Sequence, residues 1–258
     1  MLLKKSKLIP SAWEVPDEFH RRVGDRPGRQ RAIFAEDHLL LVLHEPPKPD
    51  EATRKGRLFW RKPDASWAST GFGAGVAALE RHLEEFIKAI DECDLHEDQA
   101  TTADEYFQVM EQVAPLKRAA ENLHQVLQDA RKMLPNDRDM MNLRDQAYDI
   151  SRTVELLYDA TKNGLELAQT RRAEEQARIG HAMAESAHRL NLLASFFFPL
   201  ATLTALFGMQ FGIGLEQIDP PWPFVAVLIV GVLAGFVISF FVVRPFRKGN
   251  LQPQARRR

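Results

Sequence analysis

Two long uncharged stretches near the C-terminus constrain this chain more than any other feature of its sequence. Residues 190–215 contain no charged side chain, and residues 220–243 contain none either. A helix needs about 20 mostly apolar residues to cross a hydrocarbon layer of about 30 Å. A soluble domain of this size seldom needs two uncharged stretches this long. The sequence therefore predicts a membrane protein with two transmembrane helices per subunit, at residues 190–209 and 222–243.

Basic residues flank the predicted spans and indicate their orientation. Arg189 precedes the first span, and a basic tail at residues 244–258 follows the second. The loop at residues 210–221 contains Glu216 and Asp219 but no lysine or arginine. Lysine and arginine concentrate in the cytoplasmic segments of membrane proteins. We therefore expect a multi-pass protein of the cell (inner) membrane with both termini in the cytoplasm and the loop outside.

The remaining residues are expected to be cytoplasmic. The formal net charge of −1 favours no polyanionic partner, so nucleic acid is not expected. The single cysteine, Cys93, excludes an internal disulfide framework and fits a reducing compartment. Short apolar runs with turn residues between them predict a small β-containing N-terminal region over residues 1–70, with strands near 32–34, 39–43 and 58–60.

From residue 76 onward, apolar residues recur every three and four positions, which is the spacing of a coiled-coil seam. We expect a cytoplasmic helical region over residues 71–189, broken at residues 135–137 (Pro-Asn-Asp). No strong helix breaker lies between Asp137 and the first span. A helix over residues 137–207 would be about 105 Å long at 1.5 Å per residue. One stalk helix is therefore expected to continue from the cytoplasmic region into the membrane.

Two spans in one subunit cannot enclose a polar pathway, whereas several copies around an axis can. On the first span, mostly small residues recur at three and four positions, including Ala187, Ala194, Ala201 and Ala205. Small residues on one face permit close helix packing. They would equally leave room for a narrow conduit between subunits, and the pattern alone leaves both interpretations open.

The end of the first span resembles a known family signature. In the CorA-type divalent metal ion transporters (CorA/ZntB-like), a Pro-Leu pair is followed by Gly-Met-Asn, with the glycine nine residues after the proline. Here Gly208 is nine residues after Pro199, and Met209 and Gln210 follow it. The two spans, the basic tail and the long helix also fit, so the resemblance covers roughly residues 76–248.

The resemblance implies a mainly α homopentameric funnel whose first span lines a pore for divalent metal cations. The metal ion is then substrate and regulator, no covalently bound cofactor is implied, and the partners are other copies of the chain and the lipid bilayer. The family's asparagine ring receives a hydrated cation at the outer mouth. Gln210 departs from asparagine but keeps the amide oxygen on a longer stem. Because Mg²⁺ retains its waters, the ring must fit the hydrated ion. The longer glutamine changes the diameter and rigidity of the ring, and therefore its selectivity for Mg²⁺.

The resemblance also assigns residues along the pathway. Phe198 and Leu190, the bulky members of the lining, would form a hydrophobic gate that closes by dewetting. The positions that match the family's pore-lining face are Ala184, Ala187, Leu190, Ala194, Phe198 and Ala201. The alternative for Phe198 is ordinary contact with lipid or a helix.

Acidic and imidazole side chains offer further metal-binding hypotheses. Asp149 matches a family position that senses cytoplasmic metal, although a solvated helix charge explains it equally well. Glu216 and Asp219 would form acidic rings that concentrate cations at the outer mouth. His181 and His188 are seven residues apart on one helix face and suit zinc, although an outward-facing position explains them too.

A cluster at residues 91–98 combines carboxylates with Cys93 and His96, a donor set for Zn²⁺ without diagnostic spacing.

Three classes of function compete for this sequence. The leading hypothesis is a channel-like transporter of Mg²⁺, Zn²⁺, Co²⁺ or Ni²⁺, with Gln210, the short N-terminal region and the histidines favouring zinc. The alternative is a membrane-anchored coiled-coil scaffold with the same architecture and no transport. An enzyme is not expected, because no nucleophile–base constellation, nucleotide loop or HExxH-type motif is present.

Overall fold

The computed structural model describes residues 6–48, 54–208 and 222–243. The chain divides into an N-terminal unit, Met1–Arg171, and a C-terminal unit, Arg172–Arg258. The elements, in chain order, are α1 (Asp17–Arg22), β1 (Arg31–Ala35), β2 (His38–His44), β3 (Gly56–Arg61), β4 (Trp67–Ser69), α2 (Ala77–Gln99), α3 (Ala103–Met133), α4 (Arg138–Gly208) and α5 (Trp222–Val243).

The four strands form an antiparallel sheet in the order β1-β2-β3-β4. A two-residue turn joins β1 to β2, with Ala35 opposite His38. Its residues Glu36 and Asp37 have φ angles of 50° and 59°, the left-handed conformation that matches the twist of a tight hairpin. The three strands predicted from the apolar runs are confirmed. The short β4 and α1 were not predicted, because neither contains a long periodic pattern.

The sheet is covered on both faces, which explains why β2 is an almost continuous apolar run. Leu39, Leu41 and Leu43 pack into the main core with the helices. Leu40 and Val42 face the other side. There they join a smaller core that includes Ile9, Phe19, Val23, Ile33 and Trp60. A strand buried on both faces loses the polar–apolar alternation of a half-exposed strand.

Helices α2, α3 and the start of α4 build the main core. Their buried residues follow the three–four spacing seen in the sequence, and those on α4 are Met140, Leu143, Ala147, Ile150, Val154 and Leu157. Gly164 of α4 packs closely against the ring of Tyr106 in α3. A Cβ added at Gly164 would lie only 2.4 Å from Tyr106 Cε1, so the contact leaves no room for a side chain. The apolar three–four positions of this region are therefore buried between its helices, and the coiled coil itself stays a prediction.

Local hydrogen bonds determine where the helices begin. At α3, Thr102 Oγ1 accepts from the Glu105 backbone N–H (3.3 Å), and the Glu105 carboxylate accepts from the Thr102 N–H (2.9 Å). This reciprocal capping box satisfies backbone groups that a helix start leaves unpaired. Backbone N–H groups of Thr101 and Thr102 lower the pKa of Glu105 to about 2. At α4, Asp137 Oδ1 accepts from the Met140 N–H at 2.9 Å.

The long helix expected from the sequence is present as one element, α4, of 71 residues. Its start follows the predicted break at residues 135–137. The second predicted span coincides with α5, and the first with the end of α4. Within residues 6–48, 54–208 and 222–243, no helix combines the length and the apolar character needed to cross a membrane. The two membrane spans stay a prediction.

Candidate functional site

One face of α4 brings together the residues assigned to the ion pathway. Successive helical residues are rotated by about 100°, so Ala187, Leu190, Ala194, Phe198 and Ala201 fall within about 80° of one another. These five residues form the lining face. All five side chains are exposed in the isolated subunit. Phe198 and Leu190, the two bulky members, are 75% and 67% exposed. The lining face is therefore available for contact outside the subunit.

Helix α5 packs on the other side of α4. A Cβ added at Gly235 would lie 3.2 Å from the Phe196 carbonyl oxygen, and one at Gly231 would lie 2.9 Å from Leu200 Cδ1. The rings of Phe196 and Phe236 meet edge to face, with centroids 6.0 Å apart. Phe196 and Leu200 are rotated by about 160° and about 120°, respectively, from the centre of the lining face. The contact with α5 therefore leaves the lining face uncovered.

The sequence reasoning missed the glycines that make this packing possible. Gly231 and Gly235 are four residues apart, which places both on one face of α5. A Gly-x-x-x-Gly pattern in an apolar helix is a known signal for close helix approach. That signal was available in the sequence and identifies the α4-facing side of α5.

The lining face is largely apolar, since nearby hydroxyls are satisfied within the helix. Thr202 Oγ1 donates to the Phe198 carbonyl oxygen at 2.8 Å. Ser195 Oγ donates to the Asn191 carbonyl oxygen at 2.7 Å. Asn191 itself is exposed and lies at the edge of the lining face, so its amide is the polar group closest to it. If several subunits placed this face around an axis, the pathway would have apolar constrictions, with the Asn191 amides beside them.

Part of the predicted selectivity site lies outside the described residues. Gly208 is the last residue of α4. Met209, Gln210, Glu216 and Asp219 fall in the segment between α4 and α5 that the structure does not describe. Their roles stay predictions.

The predicted histidine and aspartate sites lie on α4 but apart from the lining face. His181 and His188 share one side of the helix, about 130° from the centre of the lining face, and His181 is exposed. Asp149 is exposed within the N-terminal unit. Two nearby arginines of α4 pair with other carboxylates: Arg152 with Glu155 at 2.6 Å, and Arg144 with Asp145 at 3.1 Å.

The donor set considered at residues 91–98 does not come together as a metal site in the described structure. Among the described residues, no group of three or more His, Cys, Asp or Glu side chains is placed to hold a metal ion. Cys93 is buried in the main core, and burial, followed by the charge of Glu92, raises the pKa of its thiol. His96 instead contacts Gln112, with Nδ1 3.4 Å from Oε1. Residues 91–98 are neighbours in the sequence, but their side chains point in different directions around α2 and do not converge on one point.

A partly buried polar network in the N-terminal unit was also missed by sequence reasoning. Arg57 of β3 donates to Glu85 Oε2 at 2.8 Å and to Glu45 Oε1 at 2.9 Å. Its Nη1 lies 3.0 Å from His82 Nδ1. His82 is fully buried, and burial, followed by the charge of Arg57, lowers its pKa to about 3. His82 is therefore neutral and accepts from Arg57, which links the sheet to α2.

Comparison with known proteins identifies the family. The chain matches the family model described as CorA-like Mg²⁺ transporter protein over residues 17–248. The chain belongs to this CorA-like family. Members are membrane transporters of divalent cations and homo-oligomers, and they are not enzymes. The resemblance seen at residues 199–210 is thereby confirmed.

One solved structure supports the fold of this chain. The full-length CmaX protein is similar at a TM-score of 0.56 and 12% identity, over 92% of this chain and 83% of that chain. The CorA magnesium transporter from Methanocaldococcus jannaschii gives a TM-score of 0.43 at 16% identity, over 88% of this chain and 81% of that chain. No curated protein matches the sequence significantly. The fold is mainly helical with a small N-terminal α/β region.

Proposed function

We propose that this protein is the subunit of a homopentameric, channel-like transporter of divalent metal cations in the cell membrane. In this proposal the end of α4 and α5 span the bilayer, and both termini lie in the cytoplasm. The uncharged character of residues 190–215 and 220–243 supports the two spans. Family membership supports the class of cargo.

The observation that carries the proposal is the uncovered lining face of α4. Because α5 packs against Phe196 and Leu200, the face with Ala194, Phe198 and Ala201 is left for other subunits or for the pathway. Small residues there allow five helices to approach an axis. Rings of Phe198 and Leu190 would then form the narrow apolar gates, which exclude water and ions until the helices move apart.

The proposed selectivity filter is the ring of Gly208, Met209 and Gln210. Five amide oxygens would contact the waters around a hydrated cation, with Glu216 and Asp219 raising the local cation concentration. The longer glutamine changes the width and rigidity of the ring relative to asparagine. Among Mg²⁺, Zn²⁺, Co²⁺ and Ni²⁺, we propose zinc as the favoured ion, because Gln210 replaces the family's asparagine, with Asp149 as a cytoplasmic metal sensor. His181 and His188 point away from the lining face, so they are not assigned to the ion's route.

Ion flux into proteoliposomes tests the proposal. The purified full-length protein is reconstituted around a metal-sensitive dye, and each of the four ions is offered in turn at equal concentration. We expect saturable flux above that of empty liposomes, and a change in ion preference when Gln210→Asn restores the family's residue. Absence of flux for every ion would overturn the transporter and leave the membrane-anchored scaffold.

Two controls keep the outcomes distinct. Native mass spectrometry of the same sample reports the number of subunits, so a preparation without pentamers is recognised before flux is interpreted. The variant Asp139→Asn changes an exposed residue in the first turn of α4, and we expect unchanged flux from it. If Gln210→Ala leaves both the rate and the ion preference unchanged, the outer ring has no role in selectivity.

A further inference from the structure

A cavity in the N-terminal unit lies between the end of β2 and helix α3. Its volume is about 120 Å³, which at about 30 Å³ per water holds a few waters or one small oxyanion. The side chains that give it chemical character are Gln30, His44, Arg54, Lys55, Arg118 and Asn122. It is formed within one unit and is separate from the lining face.

His44, which lines the cavity, has an unpartnered buried atom. The residue is only 5% exposed, and its Nε2 is buried with no hydrogen-bond partner among the described residues. The other ring nitrogen donates to the Gly28 backbone, so Nε2 of the neutral imidazole is a hydrogen-bond acceptor. A buried polar atom without a partner costs free energy. A ligand that supplies a donor at this point would remove that cost.

The charges around the cavity are mainly positive. Arg54, Lys55 and Arg118 line it together with one carboxylate, Glu45. That carboxylate is already neutralised by Arg57, whose Nη2 lies 2.9 Å from Glu45 Oε1. Burial, and then the charges of Arg54 and Arg31, lower the pKa of His44, against the Gly28 hydrogen bond that raises it. The cavity therefore favours an anion over a metal cation.

The walls are held in position by hydrogen bonds that involve both sides. Gln30 Nε2 donates to the Ala119 carbonyl oxygen at 3.1 Å, and Gln30 Oε1 accepts from the His44 backbone N–H at 3.3 Å. This side chain therefore connects α3 to β2. Arg118 Nε donates to the Ala114 carbonyl oxygen at 3.3 Å, which fixes the stem and leaves the two Nη groups as donors for a ligand.

We propose that this cavity binds a phosphate group, either as inorganic phosphate or as the phosphate of a monoester such as a nucleotide. A phosphate that keeps one proton offers an O–H donor to His44 Nε2. Its anionic oxygens accept hydrogen bonds from the guanidinium groups of Arg118 and Arg54, for which such charge-assisted geometry is favourable. Inorganic phosphate keeps this proton at neutral pH, and a monoester, whose second pKa is about 6, takes it up when it binds as the monoanion. A carboxylate or a sulfate stays unprotonated near neutral pH and fits the site less well.

Isothermal titration calorimetry on the full-length protein in detergent, at 0.15 M NaCl, tests this site. The probes are inorganic phosphate, AMP and sulfate, and the salt screens unspecific attraction between exposed charges. We expect saturable binding of phosphate or AMP and binding of sulfate weaker by about tenfold or more. Tighter binding of AMP than of phosphate would identify a phosphate monoester as the ligand, and equal or weaker binding would identify the free ion.

Variants connect the binding to the cavity. Arg118→Ala changes an exposed residue, and His44→Leu removes the unpartnered nitrogen; we expect each to weaken phosphate binding about tenfold or more. Lys88→Ala removes an equal charge from the exposed surface of α2 and is expected to bind as the wild type does. Thermal unfolding confirms that each variant is folded. Lack of saturable binding, sulfate binding equal to phosphate, or equal binding by Arg118→Ala and Lys88→Ala would overturn the proposal.

Discussion

Arg61 at the end of β3 forms an ion pair with Asp137 at the start of α4, with Nη2 2.6 Å from Oδ2. Both side chains are 13% exposed, so solvent screens the pair less than it screens an exposed pair. The other oxygen of Asp137 accepts from the Met140 backbone N–H. One carboxylate therefore fixes the first turn of the long helix and connects that turn to the sheet.

We predict that Asp137→Ala destabilises the N-terminal unit by about 3 kcal/mol, because it removes a helix cap and leaves the Arg61 charge partly buried without its partner. Asp137→Asn keeps a capping oxygen and should have a smaller effect. Hydrogen–deuterium exchange of the full-length protein measures the change, with faster exchange expected in the first turns of α4. The exposed Asp139→Ala serves as control, and equal protection in Asp137→Ala and Asp139→Ala would contradict the role of the pair.

The close approach of α5 to α4 gives a second prediction. Gly235→Val should lower the thermal unfolding midpoint of the detergent-solubilised protein by several degrees. Its Cβ would already lie 3.2 Å from the carbonyl oxygen and 3.4 Å from the Cα of Phe196, and backbone atoms cannot move aside as a flexible side chain can. Overpacking of this kind typically costs about 1–3 kcal/mol.

Gly180→Ala is the matched control for that prediction. Gly180 is also helical, and a Cβ there would meet nothing within 4 Å. We expect Gly180→Ala to be neutral or stabilising by up to about 1 kcal/mol, since alanine favours the helix. A midpoint for Gly235→Val as high as that of the wild type would show that the two helices tolerate a larger separation.

The buried His82 predicts a dependence of stability on pH. Burial, followed by Arg57, lowers its folded-state pKa to about 3, below the ordinary value of 6.5. Between these pH values the unfolded chain binds a proton that the folded protein does not, so the free energy of unfolding decreases as the pH falls from 6.5 toward 3. For one such group the slope approaches about 1.4 kcal/mol per pH unit.

Urea unfolding at a series of pH values measures this slope. His82→Gln keeps an acceptor for Arg57 and removes the titrating group, so we expect a flatter profile between pH 6.5 and 4 than in the wild type. His96→Gln changes an exposed histidine and should retain the wild-type slope. Parallel profiles for His82→Gln and the wild type would show that other groups dominate the acid response.

The proposed gate gives a prediction about transport. Phe198→Ala shortens the most protruding side chain of the lining face, which is 75% exposed in the subunit. If five such rings close the pore by excluding water, the variant should raise resting ion flux in proteoliposomes several-fold. Phe240→Ala removes the same ring from α5, where Phe240 is 57% exposed, and should leave flux unchanged. An equal effect of both variants would contradict a gate at Phe198.

The sequence was sufficient for the features that depend on local patterns. Three of the four strands, the break at residues 135–137, the long α4 and the family signature at residues 199–210 all follow from spacing within a few turns or strands. Strand β4 was missed because three residues carry too little pattern. The donor set around Cys93 does not form a metal site among the described residues, since residues adjacent in a helix point in different directions.

Tertiary structure alone decided which side chains meet across the fold. Nothing in the spacing of Arg57, His82 and Glu45 indicates that β3, α2 and the end of β2 place them within hydrogen-bonding distance. The same holds for Arg61 and Asp137, and for His44, whose unpartnered nitrogen is created by burial. Apolar periodicity within a segment indicates which segments become helices. The meeting of distant polar groups depends on how those helices and strands pack, and a one-dimensional pattern does not encode that geometry.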